Sequence, residues 1–319
     1  MDEIVNINLN YSPCNLKTCS FGNILNSNEI ELFITGSNEL KTKIFLHYLT
    51  YDLNSQEKEE KKENTILFQT WNYTQSKIIN YLIPVNISDS QENTQNLSNA
   101  AFIFNSQLEL LMLNNYNIYP IDNENYIKPQ LENELIYGII SNIGLKIFDL
   151  TKKDTKSILY PGLKHIINDY LILPESNNII FTCEDKKIYI YDKTDRKSLI
   201  SRPNKMEINL VCEASNDGKK FYGYSDEESS LYLYDIRNFN QFVDVIKQDV
   251  DITKMVYNKV CQKLFFLEFG SEAIISIDHI KQESIYETNK KIKDFNFKDQ
   301  LKYMNIIYED NSINIIQLI

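Results

Sequence analysis

An aspartate returns at a fixed interval through the second half of this chain. Asp149, Asp192, Asp235 and Asp278 stand 43 residues apart, three intervals in succession. Each closes a short run of β-forming residues: Leu145 to Asp149, Ile188 to Asp192, Leu231 to Asp235 and Ile274 to Asp278. A fifth run, Ile313 to Ile319, carries Gln317 where the aspartate would fall. Strands recurring every 40–45 residues or so are the signature of a propeller blade, a small antiparallel sheet that can bury its faces only against its neighbours. The 319 residues suit one such ring, since seven units of roughly 42 need about 295. The expectation is therefore all-β: a single domain over 1–319, a seven-bladed β-propeller of four-stranded antiparallel blades, with six blades as the alternative count.

The 43% hydrophobic content, with 21 Tyr and 16 Phe, supplies a core suited to sheet packing. The net charge of −11 disfavours nucleic acid as the main partner, because binding a phosphate backbone calls for a basic stripe. Arginine is scarce, with Arg196, Arg202 and Arg237 as its only occurrences. Met1 to Ile4 lacks the basic and apolar regions of a signal peptide, and no apolar run approaches the roughly 18 residues of a membrane span. Five cysteines at spacings unsuited to pairing agree with a reducing compartment, so the expected location is intracellular, cytoplasmic or nuclear.

Along the chain, Ile4 to Leu9 alternates apolar and polar residues and reads as an isolated strand. The last repeat stops after its third strand, so the strand at Ile4 to Leu9 is expected to complete that blade and close the ring by hydrogen bonds. Residues 17–75 should hold the first blade, with strands at Glu31 to Gly36, Lys43 to Leu49 and Thr65 to Trp71. The charged run 55–64 and the polar run 86–99 read as surface loop insertions. Ala101 to Phe104, Leu108 to Leu113 and Asn117 to Ile121 belong to the second blade, and a compressed third blade holds Glu134 to Ser141 and Leu145 to Asp149. From residue 150 three strands per unit are legible: Ile166 to Leu173, Asn178 to Cys183 and Ile188 to Asp192 in the fourth, and their equivalents after it. Asn216-Asp217-Gly218 supplies a hairpin turn in the fifth unit.

These repeats resemble the WD40 family. There a Gly-His pair precedes the blade, an Asp occupies the second hairpin turn, and Trp-Asp ends the third strand. The fourth unit matches best: Gly162 and His165 lead, Asp185 sits in the turn, and Tyr191-Asp192 replaces Trp-Asp. The resemblance implies a buried network in which Asp185 orients His165, which bonds Thr182 and then Tyr191. The other units lack the histidine.

Chemistry has little to work with. His47, His165 and His279 fall in three different units, no second ligand stands at a metal-binding spacing, and eight glycines form no phosphate loop. Cys14 and Cys19 have no partner cysteines or histidines nearby that would make a zinc site, and the D-x-D-x-D-G calcium loop is absent. No catalytic residue, metal or cofactor is expected. Tyr234-Asp235-Ile236-Arg237 resembles the W-D-x-R box by which substrate receptors dock on cullin-type ubiquitin-ligase adaptors. Arg237, with Arg196 and Arg202, is thus a candidate contact for a partner. The expected function is a non-catalytic scaffold or adaptor for other protein subunits with basic surfaces, with nothing to indicate a homo-oligomer. The alternative is a peptide-reading adaptor, such as a ligase substrate receptor or a transport- or checkpoint-type small propeller.

Overall fold

The computed structural model describes residues 2–8, 14–26, 29–38, 44–52, 81–85, 100–104, 107–112, 117–132, 135–140, 144–150, 154–158, 165–173, 175–193, 198–238, 241–278, 281–297 and 303–317. Among them the elements are strands, joined by turns and one short 3-10 segment, Ile236–Asn238. The loop insertions expected at 55–64 and 86–99 and the strand expected at Thr65 to Trp71 lie outside the described residues.

The strand β1 (Asp2–Asn8) comes first. A three-stranded sheet follows, β2 (Cys14–Asn26), β3 (Glu29–Asn38) and β4 (Ile44–Asp52). Next come four strands in sequence order, β5 (Tyr81–Val85), β6 (Ala100–Phe104), β7 (Leu108–Met112) and β8 (Ile118–Asp122). The following sheet holds β9 (Ile127–Glu132), β10 (Leu135–Ile140), β11 (Gly144–Asp149) and β12 (Asp154–Ile158). Then come β13 (Ile167–Leu173), β14 (Asn178–Cys183), β15 (Lys187–Asp192) and β16 (Ser198–Pro203). The next four are β17 (Leu210–Glu213), β18 (Lys220–Ser225), β19 (Ser230–Asp235) and β20 (Phe242–Lys247), followed by β21 (Ile252–Asn258), β22 (Lys263–Glu268), β23 (Ala273–Asp278) and β24 (Lys281–Glu287). The last sheet takes β25 (Ile292–Phe297), β26 (Tyr303–Tyr308) and β27 (Ser312–Gln317) from one end of the chain and β1 from the other, in the order β1-β27-β26-β25. All seven sheets are antiparallel meanders apart from that one exchange.

The strand expected at Ile4 to Leu9 thus runs Asp2–Asn8 and pairs antiparallel with β27, with Asn6 opposite Asn314 and Ile7 opposite Ile313. The recurrent aspartates end the third strands β11, β15, β19 and β23. The compressed third unit resolves differently from the sequence expectation. Its first strand is β9, which carries Pro129 and bulges at Lys128 (φ 50°), and its fourth is β12. Proline at a strand paired on one side only costs no ladder bond, and the bulge absorbs the residue that breaks the alternation.

The chain divides into two compact units, one dominated by residues 127–292 and the other by 2–126 together with 293–297 and 303–317. In the first unit the cores lie between successive sheets. Ile179, Phe181 and Cys183 of β14 face Tyr137, Ile139 and Leu145. Their neighbour Ile180, with Ile188 and Ile190 of β15, faces the other way onto Phe221, Tyr232 and Tyr234. Tyr222 and Tyr224 of β18, with Leu231 and Leu233 of β19, then pack on Leu264, Phe266 and Ile277. Side chains alternate across a strand, so a middle strand buried on both faces must be apolar at nearly every position. That is why Ile188-Tyr189-Ile190-Tyr191 and Leu231-Tyr232-Leu233-Tyr234 show no polar alternation. Gly223 of β18 marks a close approach, since a Cβ there would stand 3.1 Å from Ile208 Cγ2 and 3.2 Å from Tyr234 Cε2. In the second unit, β2 lies against β5 and β26. Phe102, Phe104, Leu108, Tyr126, Phe295, Met304 and Ile306 of that unit are buried.

Candidate functional site

Asp185 occupies the β14–β15 turn, where Lys186 takes a left-handed φ of 57°. Its Oδ1 accepts the Lys187 N–H at 3.2 Å, and its Oδ2 accepts the Tyr189 hydroxyl at 2.7 Å. Lys187 Nζ stands 3.1 Å from Oδ2 and His165 Nε2 3.6 Å, with the imidazole half exposed. Burial raises the Asp185 carboxyl, but the bonds from Tyr189 and Lys187 and the charges of Lys187 and His165 outweigh it and hold it below the ordinary carboxylate value. Burial and the bond to Asp185 push the Tyr189 phenol well upward. Thr182 is buried and donates to the Asp169 carbonyl at 3.3 Å, while the buried Tyr191 ring lies 5.8 Å from Phe181 and 6.4 Å from Tyr189. The structure therefore brings His165 to Asp185, places Tyr189 on that carboxylate, and directs Thr182 to the neighbouring strand. Asp122 repeats the device in the other unit, accepting the Glu124 N–H and the Tyr126 hydroxyl. An aspartate followed by tyrosine four residues on is legible in both places as D-x-x-x-Y, with Tyr189 in β15 and Tyr126 just ahead of β9 bonding back to the carboxylate.

Arg237 lies in the short 3-10 segment Ile236–Asn238 that opens the connection from β19 to β20. Its Nε donates to Asp235 Oδ1 at 2.9 Å, its second arm reaches Oδ2, and its own N–H donates to Oδ1 at 2.9 Å. The guanidinium fork is thus closed on the aspartate two residues earlier, while 58% of the side chain stays exposed. The bond from Arg237 holds Asp235 below its ordinary value. Arg196 lies outside the described residues, as does His279. Arg202 stands in β16 and His47 in β4, with their side chains outside the described set.

A second constellation was not anticipated from the sequence. Asp169, buried in β13, is reached by Lys128 Nζ of β9 at 3.0 Å and by the Val211 N–H of β17 at 2.9 Å, and it accepts the Tyr170 N–H at 2.9 Å. Burial raises its carboxyl, and the Lys128 charge leads the interactions that draw it back. Around it Tyr170 Oη donates to the Lys128 carbonyl at 2.8 Å, Gln130 to the Tyr170 carbonyl at 3.2 Å, and Asn168 to the Ile208 carbonyl at 3.2 Å. The first strands of three successive sheets are thereby tied by side chains. The register shift at Asn168, between Ile167 and Asp169, aims these polar groups sideways to the next sheet. The adjacent Asn168-Asp169 pair inside an apolar run was the available sequence signal.

A third feature gathers the turns between second and third strands. In each of three successive sheets the chain leaving the fourth strand bonds back to that turn: Asn204 N–H to Lys186 O at 2.6 Å, Gln248 N–H to Ser229 O at 2.8 Å, and Thr288 N–H to Glu272 O at 3.0 Å. Lys186, Ser229 and Glu272 are themselves 43 residues apart. Neighbouring turns are joined as well. Lys186 Nζ bonds Glu227 at 2.7 Å, Tyr224 Oη donates to Asp251 at 3.1 Å, and the Phe269 N–H donates to the Asp251 carbonyl at 2.8 Å. This end of the 127–292 unit is acidic. Segments 184–187, 205–209, 226–229, 247–251 and 268–272 hold ten Asp and Glu against four Lys.

Among the described residues no group of three or more His, Cys, Asp or Glu is arranged to hold a metal, and no helix is long and apolar enough to cross a membrane. The chain matches no family profile and no curated protein.

Proposed function

We propose that the chain is a seven-bladed β-propeller of divergent WD40 type, latched by β1 on β27, and that it works as a non-catalytic scaffold within a larger intracellular protein complex. The observation that carries this reading is the side-chain tie between first strands, in which Asp169 takes Lys128 from the sheet before and the Val211 N–H from the sheet after. Such ties hold successive sheets in fixed relation, so the turns at their ends form a rigid array rather than independent loops. Rigid arrays suit protein recognition, because little conformational entropy is lost when a partner docks. The 43-residue period, repeated in the strand-ending aspartates and in the turn bonds, supports one architecture throughout. The acidic charge favours partners with Lys- or Arg-bearing surfaces, met at rates that fall as salt rises.

The test is affinity purification of the full chain with cross-link mapping. The scaffold reading expects partner proteins in stoichiometric amounts that survive moderate salt, with cross-links concentrated at inter-sheet turns. Recovery of the chain alone, or turnover of a small molecule by the purified chain, would overturn it.

A further inference from the structure

The most exposed large apolar side chain among the described residues is Phe269, 76% accessible, in the β22–β23 turn. Its N–H bond to the Asp251 carbonyl ties it to the β20–β21 connection, where Val250, the residue before Asp251, is itself 42% exposed. The tip of the turn is Gly270 at φ 68°, and a Cβ there would meet nothing within 4 Å, so the turn stands clear of its own sheet. An aromatic ring held out on a tied turn loses hydration free energy for as long as nothing covers it. The carboxylates around it carry a second demand. Asp226 lies in the β18–β19 turn, Asp249 and Asp251 in the β20–β21 connection and Glu268 at the end of β22, and among the described residues no ammonium or guanidinium pairs with any of them. Burial raises Asp226, with repulsion from Asp251 and Glu207 adding to it, and burial raises Glu268, with Asp249 adding to it. The like charges are close enough to feel one another and are not neutralised by any described residue.

We propose that Phe269 and Val250, ringed by Asp226, Asp249, Asp251 and Glu268, form a docking surface for a protein segment that carries an aliphatic or aromatic anchor flanked by Lys or Arg. The apolar pair gives affinity through desolvation, and the carboxylates select and steer cations. An acidic segment would be repelled, and a basic segment without an anchor would hold only through screened charge. This inference rests on the scaffold reading and names one face of it.

The experiment is a selection of random 16-residue displayed peptides on the full chain, followed by fluorescence anisotropy of the most enriched peptide. The expected consensus is an apolar residue flanked by Lys or Arg. Phe269→Ala should weaken that peptide about tenfold or more, the loss typical of a central aromatic contact. Asp249→Asn with Glu268→Gln should flatten the dependence of its affinity on salt. Phe269 is exposed, so its truncation leaves the fold intact, and an unchanged melting temperature verifies this. An acidic consensus, no enrichment over the Phe269→Ala chain, or a basic peptide that Phe269→Ala binds equally well would overturn the proposal. If purification still recovers stoichiometric partners in those cases, the scaffold reading stands and this face alone falls. If purification recovers none, the scaffold reading falls.

Discussion

Replacing Lys128 by Met tests the tie between sheets at its most sensitive point. The substitution keeps the aliphatic stem and removes the ammonium that stands 3.0 Å from the buried Asp169 carboxylate. Removing one member of a fully buried pair costs about 3–5 kcal/mol, because the other charge stays desolvated. Two considerations lower this. Asp169 keeps the N–H groups of Val211 and Tyr170, and a third of the Lys128 side chain meets solvent, where screening weakens the pair. A loss of about 2–3 kcal/mol follows. With an unfolding entropy of about 2.1 cal/mol/K per residue over a chain of 319 residues, each kcal/mol moves the midpoint by about 1.5 °C, so the expected fall is about 3–5 °C. Asp169→Asn retains an oxygen for Val211 and should cost less, and the double variant should cost less than the two singles together by about 1–2 kcal/mol. The pH dependence has a definite sign. A buried carboxyl raised above its ordinary value favours the folded state when protonated, so its penalty appears as pH rises from the ordinary carboxylate range through the folded value. Lys128 offsets that penalty, so the Lys128→Met deficit should be full above the folded value and shrink as pH falls through it toward the ordinary range. Thermal unfolding followed by circular dichroism at several pH values reads all of this. Strict additivity of the two substitutions, or a Lys128→Met deficit that stays below about 0.5 kcal/mol to the alkaline end of the pH series, would refute the reasoning.

Further expectations concern the turns and the close approaches. Gly223→Ala should destabilise by about 1–3 kcal/mol through contact with Ile208 and Tyr234, whereas Gly270→Ala should cost about 1 kcal/mol through its left-handed backbone alone; chemical denaturation separates them. Tyr189→Phe removes the strongest bond to Asp185 and should cost about 1–1.5 kcal/mol, while His165→Ala, at 3.6 Å and half exposed, should cost less than about 0.5 kcal/mol. Because the Asp185 carboxyl is held low, its contribution is present above the ordinary carboxylate range and is lost as pH falls through the folded value. Tyr189→Phe should shift that loss to higher pH, measurable by carboxyl-carbon NMR titration. Arg237→Ala frees Asp235 of its fork, so a small fall in melting temperature and an unchanged set of co-purified partners are expected. Loss of one specific partner would instead mark Arg237 as a contact.

What the sequence made legible follows from where burial imposes a pattern. Second and third strands such as Asn178–Cys183 and Ser230–Asp235 are buried on both faces, and their unbroken apolar runs announce them. Fourth strands are exposed along one side and carry little constraint: Phe242–Lys247 and Lys281–Glu287 have no such run, so they escaped notice. The strand Ile127–Glu132 was hidden by Pro129 and by the bulge at Lys128, which break the alternation that a reader of sequence relies on. Asp185 was visible from its turn position, with His165 as its expected partner, but the direct bond from Tyr189 depends on which face each side chain takes across the strand. Asp169 offered only a polar pair inside an apolar run, because its partners Lys128 and Val211 lie about 42 residues away in either direction. Phe269 was one aromatic among many until the bond to Asp251 fixed it at a solvent-facing tip.

The pairing of β1 with β27 is the joint on which the closed-ring account turns, and hydrogen–deuterium exchange with and without residues 2–8 examines it most directly. With those residues present, the backbone amides of Ser312–Gln317 should be as slow as those of the buried third strands Lys187–Asp192 and Ser230–Asp235. With them deleted, the amides of Ser312–Gln317 that face β1 should exchange rapidly, and those of Tyr303–Tyr308 should follow as the sheet loosens. Slow exchange in Ser312–Gln317 that is indifferent to the deletion would contradict the account.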